Sequence, residues 1–519
     1  MSDERWEDAL DELERSLISN SHNHQARAMK AVALRKLERK DEALAWIQES
    51  YKIDPFNYVC MVEEHLLTGN REPLEHMVAL MHGNIYNYHE TALDYAQAGM
   101  DDEATLVLQT AIDKGVEESP LTYYYLAYFN TLSKSIGYLQ KAASISPDYC
   151  FPNRLEDAHI LSSLSFLPLV NDARAPYYLG CLYYDKRQYD VAIEHWERSA
   201  KLDPSFPTVW RNLALARFNK QDRQEEALEY MEKAFHLDET DSRILMELDQ
   251  LYKRLHKPHQ ERLDFLQQYP ELIAQRDDLV LEEITLLNQL GRYEEAKAKL
   301  DAHQFHPWEG GEGKVPAQYQ ICRVELAKQA LAGQSGNPDI HEAIRLLNEC
   351  LEYPHHLGEG KLYGAQENDF YYLLGIAYDA IGEKAKAKAC WEEATKGPQE
   401  PAAAMYYNDA KPDKIFYQGM ALMKLGREGE AHGRFYKLIN YGKQHVFEHQ
   451  VMDYFAVSLP DLLIWDDSLD TKNEIHCKYM LALGYYGMGD KAKAQKYLEE
   501  VAALDNNHQG VQQLKTLCL

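Results

Sequence analysis

The sequence predicts an all-α solenoid of roughly ten stacked helical hairpins, with long loops between hairpins in its C-terminal half. Three observations predict it. Small and aromatic residues recur with a period of about 34 residues, the mark of a repeated supersecondary unit. At 519 residues the chain is too long for one compact core and suits an array. Its hydrophobic content of 45%, with no long Ser/Gly/Pro tract, supports ordered structure nearly throughout.

The repeat is clearest at 177–204, "YYLGCLYYDKRQYDVAIEHWERSAKLDP", where Leu179, Gly180, Tyr183, Ala192, Trp196 and Pro204 fall at the spacing of a tetratricopeptide (TPR) repeat. The next stretch, "VWRNLALARFNKQDRQEEALEYMEKAFHLDE", repeats it with Trp210, Leu213, Ala214, Ala227 and Ala234. Two amphipathic helices pack antiparallel in such a unit, small residues marking their closest approach and aromatics filling the gaps. Upstream copies are 24–57, with Ala31, Ala43 and Asp54-Pro55, and 85–118, with Ala92, Gly99, Ala104 and Ala111. Downstream copies are 368–397, 412–440 and 475–506, anchored by Gly375 and Trp391, Gly419 and Phe435, and Tyr485 and Ala494. Degenerate copies occupy 119–148, 242–270 and 277–301, and "HNHQ" at 22–25 reads as a helix cap. A stretch with two internal prolines, 148–176, exceeds a normal connection between repeats. The expected organisation is a TPR-like array at 1–148, a joint at 149–172, central repeats at 173–301 and C-terminal repeats with long loops at 302–519.

Two loops in the last segment share the core GEGK: "HPWEGGEGKVPAQ" at 306–318 and "HHLGEGKLYGAQEN" at 355–368. Between them lie two helical patterns joined by "QSGNP", and an antiparallel hairpin returns the chain to the edge where it began. The two loops are therefore expected side by side, with Trp308 as the platform of a lipped pocket. The long inserts 396–414 and 440–473 also follow second helices and are expected on the same edge, where repeat proteins collect binding insertions. The candidate binding residues are Trp308, Glu309, Glu312, Lys314, His355, His356, Glu359, Lys361, Gln366, Glu367, Asn368 and Asp369. Aromatic surfaces, acceptors and donors mixed with glycines suit a protein loop, a sugar or another polar molecule. The plainer alternative is that the glycines turn the corner and Trp308 plugs the core. A Walker A loop is excluded, since Trp308 and His355 stand where its first glycine belongs and Val315 and Leu362 follow the lysines.

Other chemistry is thin. Lys and Arg number 55 against 83 Asp and Glu, a net charge of −28, which repels nucleic acid and anionic lipid. No signal-like start or long apolar run is present, so no membrane association and a cytoplasmic location are expected. Eight scattered cysteines without a CxxC pair imply neither a disulfide framework nor a zinc site. His445 and His449 are four apart but lack the HExxH order and a third ligand. Asp461, Asp466 and Asp467 would form an acid/base pair with Glu309 or Glu359 only if the long loops folded together. No catalytic residue, cofactor or metal is assigned.

Beyond the repeat spacing, "FPNRLEDAHIL", "HPWEGGEGKVPAQY", "LGEGKLYGAQEND", "MYYNDAKPDKIFYQGMAL" and "MDYFAVSLPDLLIWDDSLDTKNEIHC" resemble the TPR half of a family of bacterial proteins. In its typical member a β-sandwich domain of unassigned function precedes the array; the resemblance covers about 150–510. It implies a link to carbohydrate metabolism. No strand-rich stretch precedes the array here, as in a shorter relative, a separated subunit or a piece of a longer protein. Two functions are carried forward: a scaffold docking a protein, with a β-sandwich domain as the partner the resemblance implies, or a glycan-binding or glycan-active protein using 306–318 and 355–369.

Overall fold

The structure is a computed structural model, and it describes residues 5–165, 171–308, 310–334, 336–403, 409, 411–451 and 464–517. Glu309, Asp461 and part of 149–172 thus lie outside the described residues. These residues form α-helices and one short 3-10 turn, and no strand occurs among them. The all-α reading holds, and the chain divides into two compact units, Met1–Ala216 and Arg217–Leu519.

One packing rule builds three of the hairpins. The glycine of the first helix lies under an aromatic of the second, sixteen residues on: Gly180 under Trp196, Gly375 under Trp391, Gly419 under Phe435. A Cβ at any of these glycines would fall inside the aromatic ring's van der Waals envelope, so only glycine admits the close approach. Each indole then satisfies its own N–H on the first helix: Trp196 donates to the Tyr177 carbonyl and Trp391 to that of Tyr372, both at 3.2 Å. Trp46 does the same to Arg27 at 2.9 Å, but there Lys30 stands in the glycine's place and lays its ammonium over the ring, 4.3 Å from the centroid. This substituted repeat keeps the geometry by replacing the close approach with a cation–π contact.

In the first unit, hairpins run from His24–Lys36 with Lys40–Ile53 to Arg174–Asp185 with Tyr189–Leu202. The "HNHQ" cap holds: the Asn23 side chain accepts from the Ala26 N–H. One pair, Tyr58–Thr68 with Glu72–Met81, lacks the small-residue signature and was not anticipated. Behind it Arg35 donates to the fully buried Glu63 and, at 2.6 Å, to Glu103, while Tyr95 donates to Glu63 at 2.9 Å. Residues 149–172 contain a helix, Leu155–Ser165, and the apolar core runs from Ala28 through Ile160 and Leu164 to Leu179. Tyr124 donates to Asp172 at 2.7 Å across the same stretch.

The second unit carries Ser242–Arg254 with His259–Leu266, Asp277–Gln289 with Tyr293–Ala302, Lys314–Ala332 with Ile340–Glu349, Asn368–Ala380 with Lys384–Ala394, Pro412–Lys424 with Glu428–His445, and Leu469–Gly487 with Lys491–Leu504. Repeats in a solenoid ordinarily touch only their neighbours, but here the end of the unit meets its beginning. Trp465, 2% exposed, donates to the Glu247 carbonyl at 2.9 Å and packs edge-on against Phe218, and Asp466 and Asp467 pair with Lys220 and Arg254 at 2.8 and 2.7 Å. The described end of the 440–473 insert is therefore seated on 218–254, a correction to the expectation that it lines the GEGK edge.

Candidate functional site

The Lys314–Ala332 and Ile340–Glu349 helices form the antiparallel hairpin read from the sequence, and the two GEGK loops meet at its open end. The Gly313 N–H donates to the Glu359 carboxylate at 2.8 Å, and the Phe305 N–H to the His356 carbonyl at 2.8 Å. Gly358, at φ 74°, sits so close to the first loop that a Cβ would lie 2.7 Å from the Phe305 carbonyl oxygen. Glycine thus serves different ends in the two loops: Gly358 admits the backbone of the first loop, while Gly311 makes room for its own loop's Trp308 ring and Gly313 starts the helix at φ 73°.

Beside this junction lies a groove of about 410 Å³. Gly313, Pro316, Gln320 and Val324 form one wall; Tyr353, Glu359, Gly360, 362–367, Asp369 and Phe370 form a second; Asp409, Lys411, Asp413, Lys414 and Tyr417 form a third. Tyr479, Gln513 and Leu514 close the far end. The 396–414 insert thus reaches the GEGK edge as expected. At the lip the second loop projects Leu362 and Tyr363, the latter fully exposed at 108%.

The candidate residues divide by what holds them. Glu359, Gln366, Glu367 and Asp369 line the groove. Burial raises the Glu359 carboxyl above its ordinary value and nearby Glu312 adds to this, while the Gly313 N–H opposes it. Lys361 pairs with Glu367 at 2.5 Å and donates to the Leu351 carbonyl, pinning the loop, and Asp369 pairs with Lys414 at 2.5 Å. Asn368 is buried, and its amide donates to the Ala394 and Lys396 carbonyls at 2.8 and 2.7 Å. Its carboxamide is thus committed to closing the next hairpin. Trp308 is half-buried with its indole stacked on Gly311, where a Cβ would overlap the ring. Glu312, Lys314 and His355 are exposed, and His356 is half-buried against Tyr319.

The third wall comes from the expected 396–414 insert and the helix after it, but none of its residues was among the binding candidates. Asp413 keeps its Oδ1 buried with no hydrogen-bond partner among the described residues, and burial raises the Tyr417 and Tyr479 hydroxyls well above their ordinary value. The signal available in sequence was "NDAKPDKIFYQG", whose Pro412 starts a helix and places Asp413, Lys414 and Tyr417 within its first turns. Elsewhere, His445 and His449 each bond a carboxylate, Glu448 at 2.5 Å and Asp470 at 3.0 Å. Asp466 and Asp467 are paired to cations as described, so neither is available as a partner for Glu359.

Tetratricopeptide repeats are detected in four segments of the chain. One family model of the tetratricopeptide repeat matches residues 1–58 and 177–242, and a second matches 369–396 and 475–508. Among solved structures, the chain is similar to YrrB, described as a TPR protein with an unusual peptide-binding site, at 16% identity over 45% of this chain and 95% of that one, TM-score 0.16. It is also similar to PilF of Pseudomonas aeruginosa, at 20% identity over 41% and 87%, TM-score 0.25. A third likeness, to the Naa15/Naa10 assembly bound to HypK, covers 98% of this chain and 93% of that one at 13% identity, TM-score 0.24.

Proposed function

We propose that the chain is an interaction scaffold whose protein partner docks in the groove between the two GEGK loops, Asp409 and residues 411–417. The observation that carries this reading is Tyr363, an aromatic side chain left fully exposed on the lip of a groove that also holds the buried Asp413 oxygen. An exposed tyrosine beside a concave, partly apolar surface is the arrangement that anchors protein interfaces. A β-sandwich protein linked to bacterial carbohydrate use is the partner that the loop motifs favour. The same tyrosines and carboxylates favour a saccharide as the second reading.

The test is co-purification from the native host of wild-type chain and Tyr363→Ala, beside a glycan screen of the purified chain. A specific protein retained by wild type and lost in Tyr363→Ala, with melting unchanged, supports the scaffold. A glycan lost in the same variant, with no protein partner, transfers the site to the second reading.

A further inference from the structure

The first helices of three successive hairpins, Ser242–Arg254, Asp277–Gln289 and Lys314–Ala332, present one polar face, and the chain's own residues 505–516 occupy it. Those residues bond to partners 185 to 254 positions earlier. Asn506 donates to the His256 carbonyl at 3.1 Å and Asn507 to that of Lys253 at 3.4 Å. Gln289 donates to the Asn507 carbonyl at 2.9 Å. The Gln318 and Gln509 carboxamides bond reciprocally at 2.9 and 3.0 Å. Lys328 donates to the Gln513 carbonyl at 3.1 Å, and Thr516 donates to Glu325 at 2.7 Å.

The receiving side is pre-arranged. Arg262, wholly buried, is fixed by Asp249 and Glu282 at 2.7 and 2.6 Å and still directs an N–H to the Asn507 side chain at 3.0 Å. The arriving segment is not. Its helix, Gln509–Lys515, has seven residues and buries only Val511 and Leu514. So short a helix is not stable alone, and the amide bonds of Asn506, Asn507 and Gln509, exchanged with water, contribute little net beside the charge-assisted bonds of Arg262, Lys328 and Glu325. Attachment to the preceding helix supplies the rest, by holding the segment at an effective concentration on the order of millimolar.

We propose that this face is a peptide-binding surface held closed by residues 505–516, and that it accepts in trans an extended segment bearing Asn and Gln carboxamides followed by a short apolar turn. Gln513 and Leu514 also form the end wall of the groove beside the GEGK loops, so departure of the segment lengthens that groove toward 242–289. The inference does not depend on which partner the groove takes.

The test uses the full chain and a labelled peptide of residues 505–517. Wild-type chain should bind it weakly, because the tethered copy competes. Asn507→Ala with Gln509→Ala loosens the tethered copy and should tighten peptide binding about tenfold or more; adding Gln289→Ala and Gln318→Ala should abolish the gain. Equal binding by wild type and the loosened variant, no binding by either, or loss of cooperative melting in the loosened variant would each overturn the proposal. Hydrogen exchange on wild-type protein needs no substitution: amides of 511–516 should exchange through an opening that leaves 412–487 protected. Exchange of both only together would show the segment to be an integral part of the core.

Discussion

At the residue scale, the account turns on contacts that glycine and carboxylate chemistry permit. Glu359 accepts the Gly313 N–H, so Glu359→Ala should loosen the junction of the two loops by about 1 kcal/mol, read as a lower melting temperature with faster amide exchange at Gly313. Glu359→Gln keeps an acceptor. Since burial already disfavours the charged form, raising its folded pKa, ionisation of Glu359 costs stability as pH rises through that value; the Gln variant should match or exceed wild type at neutral pH. Gly375→Ala should cost about 1–3 kcal/mol by driving a methyl into the Trp391 ring, measured by denaturant titration, whereas Gly360→Ala, in open space, should be nearly silent. The glycine–aromatic rule was legible in sequence because both residues sit at fixed spacing. The burial of Asn368 was not, since an asparagine among polar loop residues reads the same whether it faces solvent or closes a helix end.

At the element scale, the meeting of the GEGK loops followed from one inference, that an antiparallel hairpin brings its ends together. The hairpin at 58–81 is not legible because its helices carry no small residues at the repeat spacing. The docked 505–516 segment carries a pH signature. His508 lies against Tyr479, ring centroids 4.6 Å apart, and its Nδ1 is buried without a partner. Burial lowers its pKa; Asp505 on its own segment and Asp413 on the facing helix oppose this, and His476 reinforces it. A histidine with a lowered pKa when docked binds a proton more readily once released. Docking is therefore favoured above the undocked value of about 6.5 and weakens as pH falls through it. Protection of 511–516 from hydrogen exchange should decline between about pH 7 and 5.5, and His508→Gln should flatten that dependence.

At the scale of the whole molecule, a repeat protein is nearly one-dimensional, which is why hairpin after hairpin could be read without knowing how they curl. The return of 464–467 and 505–516 onto 217–332 was invisible for the same reason: it depends on small rotations summed over several repeats, and no local pattern records the sum. The joint expected at 149–172 leads to a fragment test. A chain starting at Asn171 should keep 217–519 folded, while 174–202, deprived of the Tyr124 contacts to Asp172 and Tyr178, should exchange faster. Insolubility or loss of a cooperative melt would count against separability at that point.

The central claim, that the groove at the GEGK junction is where a partner sits, is tested most directly by photo-crosslinking from single sites in the native host. A crosslinking residue at position 363 should capture one discrete species, and one at exposed Tyr436 or Ile18 should not. Capture at 436 or 18 with none at 363 would contradict the claim.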